Sequence, residues 1–260
     1  MKQTLTVTGT GDSLFTAPFP AEYVGGGMHA VADFIRSCDV RLTNLETNLT
    51  DLDCTPCALS GGTWINARPR FFGDLLKYGF NFFGTANNHA TDYSMDGLLA
   101  TLRVLDEHHA AHAGTGRSLE EAAAPAILDI RGEKIAVFAV DTSFREHSRA
   151  GRTLPPCPGR PGVNFLRHKE VRKVSAEQLE QLKCIAAKTH LNFTRQMLID
   201  TGFLTPDPPG TFDFGGITFT SEQEGPATRC HEGDKKRLLD AVRDARKTCA
   251  AVFLLELLIV

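Results

Sequence analysis

The sequence predicts an α/β fold with a central, mostly buried sheet flanked by helices, and three observations carry that prediction. Short apolar runs, Val40 to Leu45 and Phe80 to Ala86, have the length and the β-branched or aromatic content of buried strands. Apolar residues at helical spacing follow or precede them: Met28, Val31, Ala32 and Ile35 in one stripe, Leu98, Leu99, Leu102 and Leu105 in another. Polar clusters sit where the apolar runs stop, which is where open α/β sheets carry their ligand chemistry.

Thr4 to Thr8 alternates threonine with Leu5 and Val7, the period of a strand with one buried face. It runs into Gly9-Thr-Gly-Asp12, so Asp12 is expected just past a strand end. The strand of Val40 to Leu45 gives out at Asn44-Leu-Glu46. From Thr47 to Arg70 the chain turns to Thr, Asp, Cys, Pro and Gly without a period, the composition of a long loop. Phe71, Leu75 and Leu76 then predict a short helix before the strand of Phe80 to Ala86, and a helix over Gly97 to His109 follows it.

Ser118-Leu-Glu-Glu121 reads as a helix cap with carboxylates in the first turn, and Arg131-Gly-Glu133 as the turn of a hairpin between Ala126–Ile130 and Ile135–Val140. Phe144 to Val171 is predicted as an extended surface loop. A helix over Ser175 to Ala187 should bury Leu179, Leu182 and Ile185, and Thr205 to Gly216 is a Pro/Gly-rich connection. A short strand over Ile217 to Thr220, a charged amphipathic helix over Asp234 to Lys247 and an apolar strand from Ala250 to Val260 complete the pattern.

The 260 residues suit one domain with a sizeable core. A formal net charge of -3, from 28 basic and 31 acidic residues, gives no electrostatic footprint for nucleic acid. Seven cysteines are too few and too irregular for a disulfide scaffold, which points to a reducing compartment. Threonines interrupt any apolar signal core near the N-terminus, and Ala250 to Val260 is too short to span a bilayer, so a cytoplasmic chain without a membrane segment is expected.

Asp12, Glu46 and the pair Asn88-His89 thus fall at three successive strand ends. Singly they have ordinary explanations: a turn former, a solvated end, a polar residue at a helix entry. Together, oxygen donors from two carboxylates and a carboxamide suit a divalent ion, and the imidazole beside them can ligate or protonate a leaving group. Cys54-Thr-Pro-Cys57 lacks a second cysteine pair and reads as loop cysteines. The histidines 108, 109 and 112 gather at a helix C-terminus, where positive charge is favourable.

Gly11-Asp12, Asn44-Leu-Glu46, Ala86-Asn-Asn-His-Ala-Thr-Asp92 and Gly114-Thr-Gly116 with Glu121-Ala122 resemble, in order and spacing from about Leu5 to Val140, the motifs of the CapA family. That family is associated with poly-gamma-glutamate capsule synthesis and has a calcineurin-like metallophosphatase fold. The resemblance implies sheets packed together between helices, Asp12, Glu46 and Asn88 as metal ligands, and His89 assisting the leaving group. It implies a metal-dependent phosphoesterase-like hydrolase using manganese, iron, magnesium or zinc, with a phosphoester or an anionic polymer such as polyglutamate as substrate. Arg149, Arg152, Arg160, Arg167 and His168 are either a patch for such a polymer or a solvated basic loop.

The sequence departs from the family where later strands should end in further histidines. No histidine follows His231, and the last strand ends in Leu257-Leu-Ile-Val260. The expectation is therefore a C-terminally truncated or altered CapA-like domain, with weak or single-metal occupancy and a tendency to self-associate. A non-catalytic binding or assembly component that keeps the fold is the other reading of the same departure.

Overall fold

The structure is a computed structural model, and residues 4–20, 27–224 and 227–257 are described. The chain divides into two compact units, one of Met1–Leu166 with Lys236–Val260 and one of Arg167–Lys235.

The first unit contains two stacked sheets. Strands β1 (Val7–Ser13), β2 (Val40–Leu45), β5 (Phe82–Gly84) and β6 (His112–Ala113) lie side by side in that order, all parallel. The second sheet has β15 (Ala251–Leu257) parallel to β9 (Glu133–Asp141), with β8 (Ala126–Ile130) antiparallel on its other side. Side chains alternate across a strand, and that alternation makes the layers. Phe82, Val40 and Leu42 point between the sheets, where they pack with Val137, Ala139, Phe253 and Leu255. Phe83 and Leu45 point the other way, onto the helical side. There they meet Ile35 of α1 (Gly27–Ser37), Phe72 and Leu75 of α2 (Phe72–Leu76), and Leu105 of α3 (Ser94–Glu107). Sheets packed together and covered by helices are the arrangement the family resemblance implies.

Between β2 and α2 the long loop is tied down by β3 (Asn48–Leu49) and β4 (Asn66–Ala67), a short parallel pair. Beyond β6 come β7 (Thr115–Gly116), which pairs with β10 (Gly162–Val163), and α4 (Leu119–Ala122), whose first turn is capped by Ser118 as expected. In the second unit β11 (His168–Lys173), β12 (Thr211–Phe214), β13 (Ile217–Thr220) and β14 (Thr228–Cys230) form one sheet in the order β12-β13-β11-β14. Helix α5 (Ala176–Thr189) starts at a Ser175–Gln178 capping box and is followed by α6 (Phe193–Asp200). Helix α7 (Glu232–Ala245) has its residues from Lys236 onward in the first unit. No helix among the described residues is long and apolar enough to cross a membrane.

Four expectations change. The stretch from Thr205 to Gly216 is not all connection, since β12 falls within it. Asp12 is not past a strand end but inside β1, paired with Asn44, because the Gly-rich stretch forms a bulge between Gly9 and Asp12 and pairing resumes after it. The stretch from Phe144 to Val171 is not all loop, since β10 and the start of β11 fall within it. Ile185 is 48% exposed, and α5 instead buries Leu179 and Ala186, seven residues apart on one face. At the chain end, Leu257 is half-buried at the close of β15, an edge strand; Leu258 and Ile259 lie outside the described residues.

Gly84 of β5 lies close against Leu255 of the second sheet. A Cβ there would lie 2.3 Å from Leu255 Cδ2, so the leucine occupies the space that any other residue's side chain would need. Gly84→Ala is expected to destabilise the protein by about 1–3 kcal/mol through overpacking, and Leu255→Ala in the same chain should recover part of that loss. Urea titrations of the two single variants and the double variant check it; strictly additive losses would show that the two residues do not compete for space.

Candidate functional site

The site grows from the turn between β5 and α3. Backbone bonds Ala90 N–H to Asn87 C=O, Asp92 N–H to His89 C=O and Ser94 N–H to Thr91 C=O wind residues 87–94 into consecutive tight turns. Asn87, 1% exposed, anchors them. Its Nδ2 donates to Asn44 Oδ1 (3.1 Å) and to the Leu45 carbonyl (2.9 Å), while its Oδ1 accepts from His89 N–H (3.1 Å). Asn44 Nδ2 in turn donates to Asp12 Oδ1 at 2.8 Å. The ends of β1, β2 and β5 are thereby joined through carboxamides. Asn48 fastens the same turn from below, donating to the His89 carbonyl (2.7 Å) and accepting from Tyr93 N–H (3.2 Å).

Three of the four residues expected from sequence, Asp12, Glu46 and His89, come together around this linkage. His89 Nε2 stands 3.9 Å from Glu46 Oε1, and Asp12 and Glu46 are close enough for a carboxyl–carboxylate hydrogen bond. Asn88 sits in the same turn with its Nδ2 donating to the Gly61 carbonyl (3.0 Å), and its buried Oδ1 has no hydrogen-bond partner. Glu46, Asn88 and His89 are all buried, whereas Asp12 is exposed, so the cluster opens on the β1 side.

Burial and then the neighbouring charge of Asp12 push the Glu46 carboxyl up to about 7, with His89 opposing. Burial alone would depress His89, but its hydrogen bond to Asp92 and the charges of Asp92 and Glu46 outweigh this, and the imidazole moves upward. Two crowded carboxyls and an orphaned buried carboxamide oxygen are a donor set of hard oxygens that fits a divalent cation. Among the described residues no three His, Cys, Asp or Glu side chains already stand as a metal cage.

Asp92 is the functional residue that sequence reasoning passed over. Fully buried, it accepts from His89 Nδ1 at 2.7 Å, from Gly61 N–H at 3.1 Å and from Ile65 N–H at 2.9 Å. It therefore orients the imidazole and pins the long loop over the site. Its signal was the His-x-x-Asp spacing, which a tight turn brings within bonding distance. Gly61 must approach closely too, since a Cβ there would lie 2.4 Å from Asn88 Nδ2. The remaining candidates stay apart: all seven cysteines are free thiols, and His108 and His112 bond local carbonyls at the end of α3.

The sequence model of the bacterial capsule synthesis protein family, PGA_cap, matches residues 6–255. The chain belongs to that family. Two curated relatives, the uncharacterized proteins y4sH and y4uA of Sinorhizobium fredii (strain NBRC 101917 / NGR234), are each 36% identical to it over 162 residues. That match covers 61% of this chain and 35% of each relative, so the chain spans about a third of the length of the curated relatives it matches.

A second strand-end carboxylate in this PGA_cap chain lies outside the cluster. Asp141 closes β9, is fully buried, and takes two hydrogen bonds from Ser143 on Oδ1 while Oδ2 has no partner. Burial raises its pKa to about 6 against those hydrogen bonds. The folded chain therefore keeps this proton where the unfolded chain has lost it, and stability falls as pH rises from about 4 to 6. Asp141→Asn removes that dependence, so its stability relative to the parent should rise by about 2 kcal/mol between pH 4 and pH 7. Urea titrations at the two pH values test this, and a difference independent of pH would refute it. For the site itself, Asp92→Asn should lower the His89 pKa, because it removes the anionic partner that raises it; an NMR titration showing His89 unmoved would disprove the coupling.

Proposed function

We propose that the cluster is the site of a metal-dependent phosphoesterase-like hydrolase working in capsule synthesis. The observation that carries the reading is the crowding of Glu46 against Asp12 and His89, with His89 backed by Asp92 and an unpartnered oxygen on Asn88, the residue before it. Mutual repulsion of that kind is relieved by a cation. Asp12, Glu46 and Asn88 would hold a divalent ion such as manganese, iron, magnesium or zinc, which when bound acts as a Lewis acid on a phosphoryl oxygen and on water.

The chain's own contribution is positional. Asp92 holds His89 Nδ1, which fixes the ring and leaves Nε2 facing Glu46. The raised pKa keeps the imidazole protonated closer to neutrality, the state needed to hand a proton to a departing alkoxide. Glu46, when deprotonated, would be a charged oxygen donor to such an ion. The substrate class is a phosphoester, with an anionic polymer such as polyglutamate as the partner that the family association suggests.

The donor set also favours a second reading. Three oxygen ligands and one imidazole fall short of two fully held ions, which supports weak or single-ion occupancy and, at the limit, a binding or assembly component that keeps the fold. Calorimetry with manganese separates these. Glu46→Gln should weaken binding at least tenfold, while Glu120→Gln on exposed α4 leaves it unchanged, since only the former removes a ligating charge. Equal affinities would reject the site. Tight manganese binding without turnover of phosphomonoesters or phosphodiesters would favour the assembly reading.

A further inference from the structure

Asp12 faces a second environment besides the carboxyl cluster. A cavity of about 480 Å³ opens beside β1, with Asp12 in its wall, Ile35, Leu75 and Phe80 buried at its base, and Met28 and Val31 of α1 along its other side. The cavity lies wholly within the first unit. Its polar character is narrower than its residue types suggest. The hydroxyls of Thr10 and Ser13 are engaged with Thr43 Oγ1 at 3.2 and 2.6 Å, which leaves the Asp12 carboxylate as the charged group lining it. Among the described lining residues there is no lysine, arginine or histidine.

We infer that this cavity is the subsite for the apolar alcohol portion of a phosphoester substrate, an inference that rests on the metal-dependent reading of Asp12, Glu46 and Asn88. Three observations select that class. The shared residue Asp12 places the cavity next to the group that would receive the phosphoryl moiety. The apolar base is dehydrated by an alkyl or aryl substituent and by little else, and binding there is proportional to the area it buries. The absence of a cation among the described lining residues, together with the Asp12 charge, disfavours a second anion, so a diphosphate or a glutamate side chain is a poor occupant of this cavity. The exposed partial surfaces of Met28 and Val31, 38% and 42%, are then the portion of α1 that such a substituent covers.

The probe is a series of n-alkylphosphonates from ethyl to octyl, titrated calorimetrically into the full chain with and without manganese. With manganese, affinity should rise about threefold to fourfold per methylene until the cavity is filled. Val31→Asp and Met28→Asp, both at positions already partly exposed, should abolish that chain-length dependence. Phe34→Asp, at a 64% exposed position of the same helix outside the cavity lining, should preserve it. Manganese-dependent binding of ethylphosphonate with no gain along the series would overturn the subsite and leave the metal site standing. A chain-length gain lost in both aspartate variants but indifferent to manganese would support the apolar subsite and remove the metal reading beneath it. A gain that survives in both variants, or binding of none of the series, would overturn the subsite.

Discussion

The geometry of the site depends on one buried carboxamide. Asn87 spends both polar ends of its side chain on backbone and on Asn44, and in doing so fixes the distance between the end of β2 and the turn after β5. A group so buried has no water to fall back on, so each unmade bond would cost the desolvation of the polar atom left behind, about 1–3 kcal/mol. Because Asn44 passes the linkage on to Asp12, a change in the turn is felt at β1, the far strand of the three. The hydrogen bonds of the fold and the positions of the acidic groups are therefore one network.

That network holds groups which would repel one another if left to themselves. Burial and then the charge of the neighbouring, exposed Asp12 push the Glu46 carboxyl up to about 7. The protein tolerates this because the strand ends are rigid: β2 is flanked on both sides by parallel partners, and its apolar residues are locked between helices and the second sheet. His89 shows the converse arrangement, with an anion on one ring nitrogen and a carboxylate near the other. A cluster that mixes destabilised carboxyls with a stabilised imidazolium is better explained by ligand chemistry than by folding, since apolar side chains would fill the same space at less cost.

Much of this was legible in the chain because local and global preferences agree there. Val40 to Leu45 is apolar enough to be a strand on any face of a sheet, and it forms one over those residues; Ser118 and Ser175 announce helices that begin where they stand. The failures have physical causes. Gly9-Thr-Gly looks like a turn, but a parallel neighbour supplies the pairing that lets the strand resume beyond a bulge. Helix α6 has Asn192 before it without a side-chain cap bond, and β12 forms from a stretch whose prolines and glycines concealed it. Asp92 was hidden for another reason. Two of its three partners are backbone N–H groups of Gly61 and Ile65 in a loop with no period, and no pattern in a single sequence records which carboxylate will receive them.

The same bonds give the site a wet side and a dry side. Glu46, Asn88, His89 and Asp92 are enclosed by the turn and by the loop that Asp92 holds down, while Asp12 projects from the outer strand β1, where no further strand pairs among the described residues. A ligand bound at this cluster would therefore meet Asp12 first. The charge met first is the one least shielded from water, and behind it lie Glu46, raised mainly by burial, and His89, raised by Asp92 and Glu46 against burial. A cation held at Asp12 would close that order, offsetting the charge at an entrance that otherwise repels anions, with the His89 imidazole already fixed by Asp92 on the dry side.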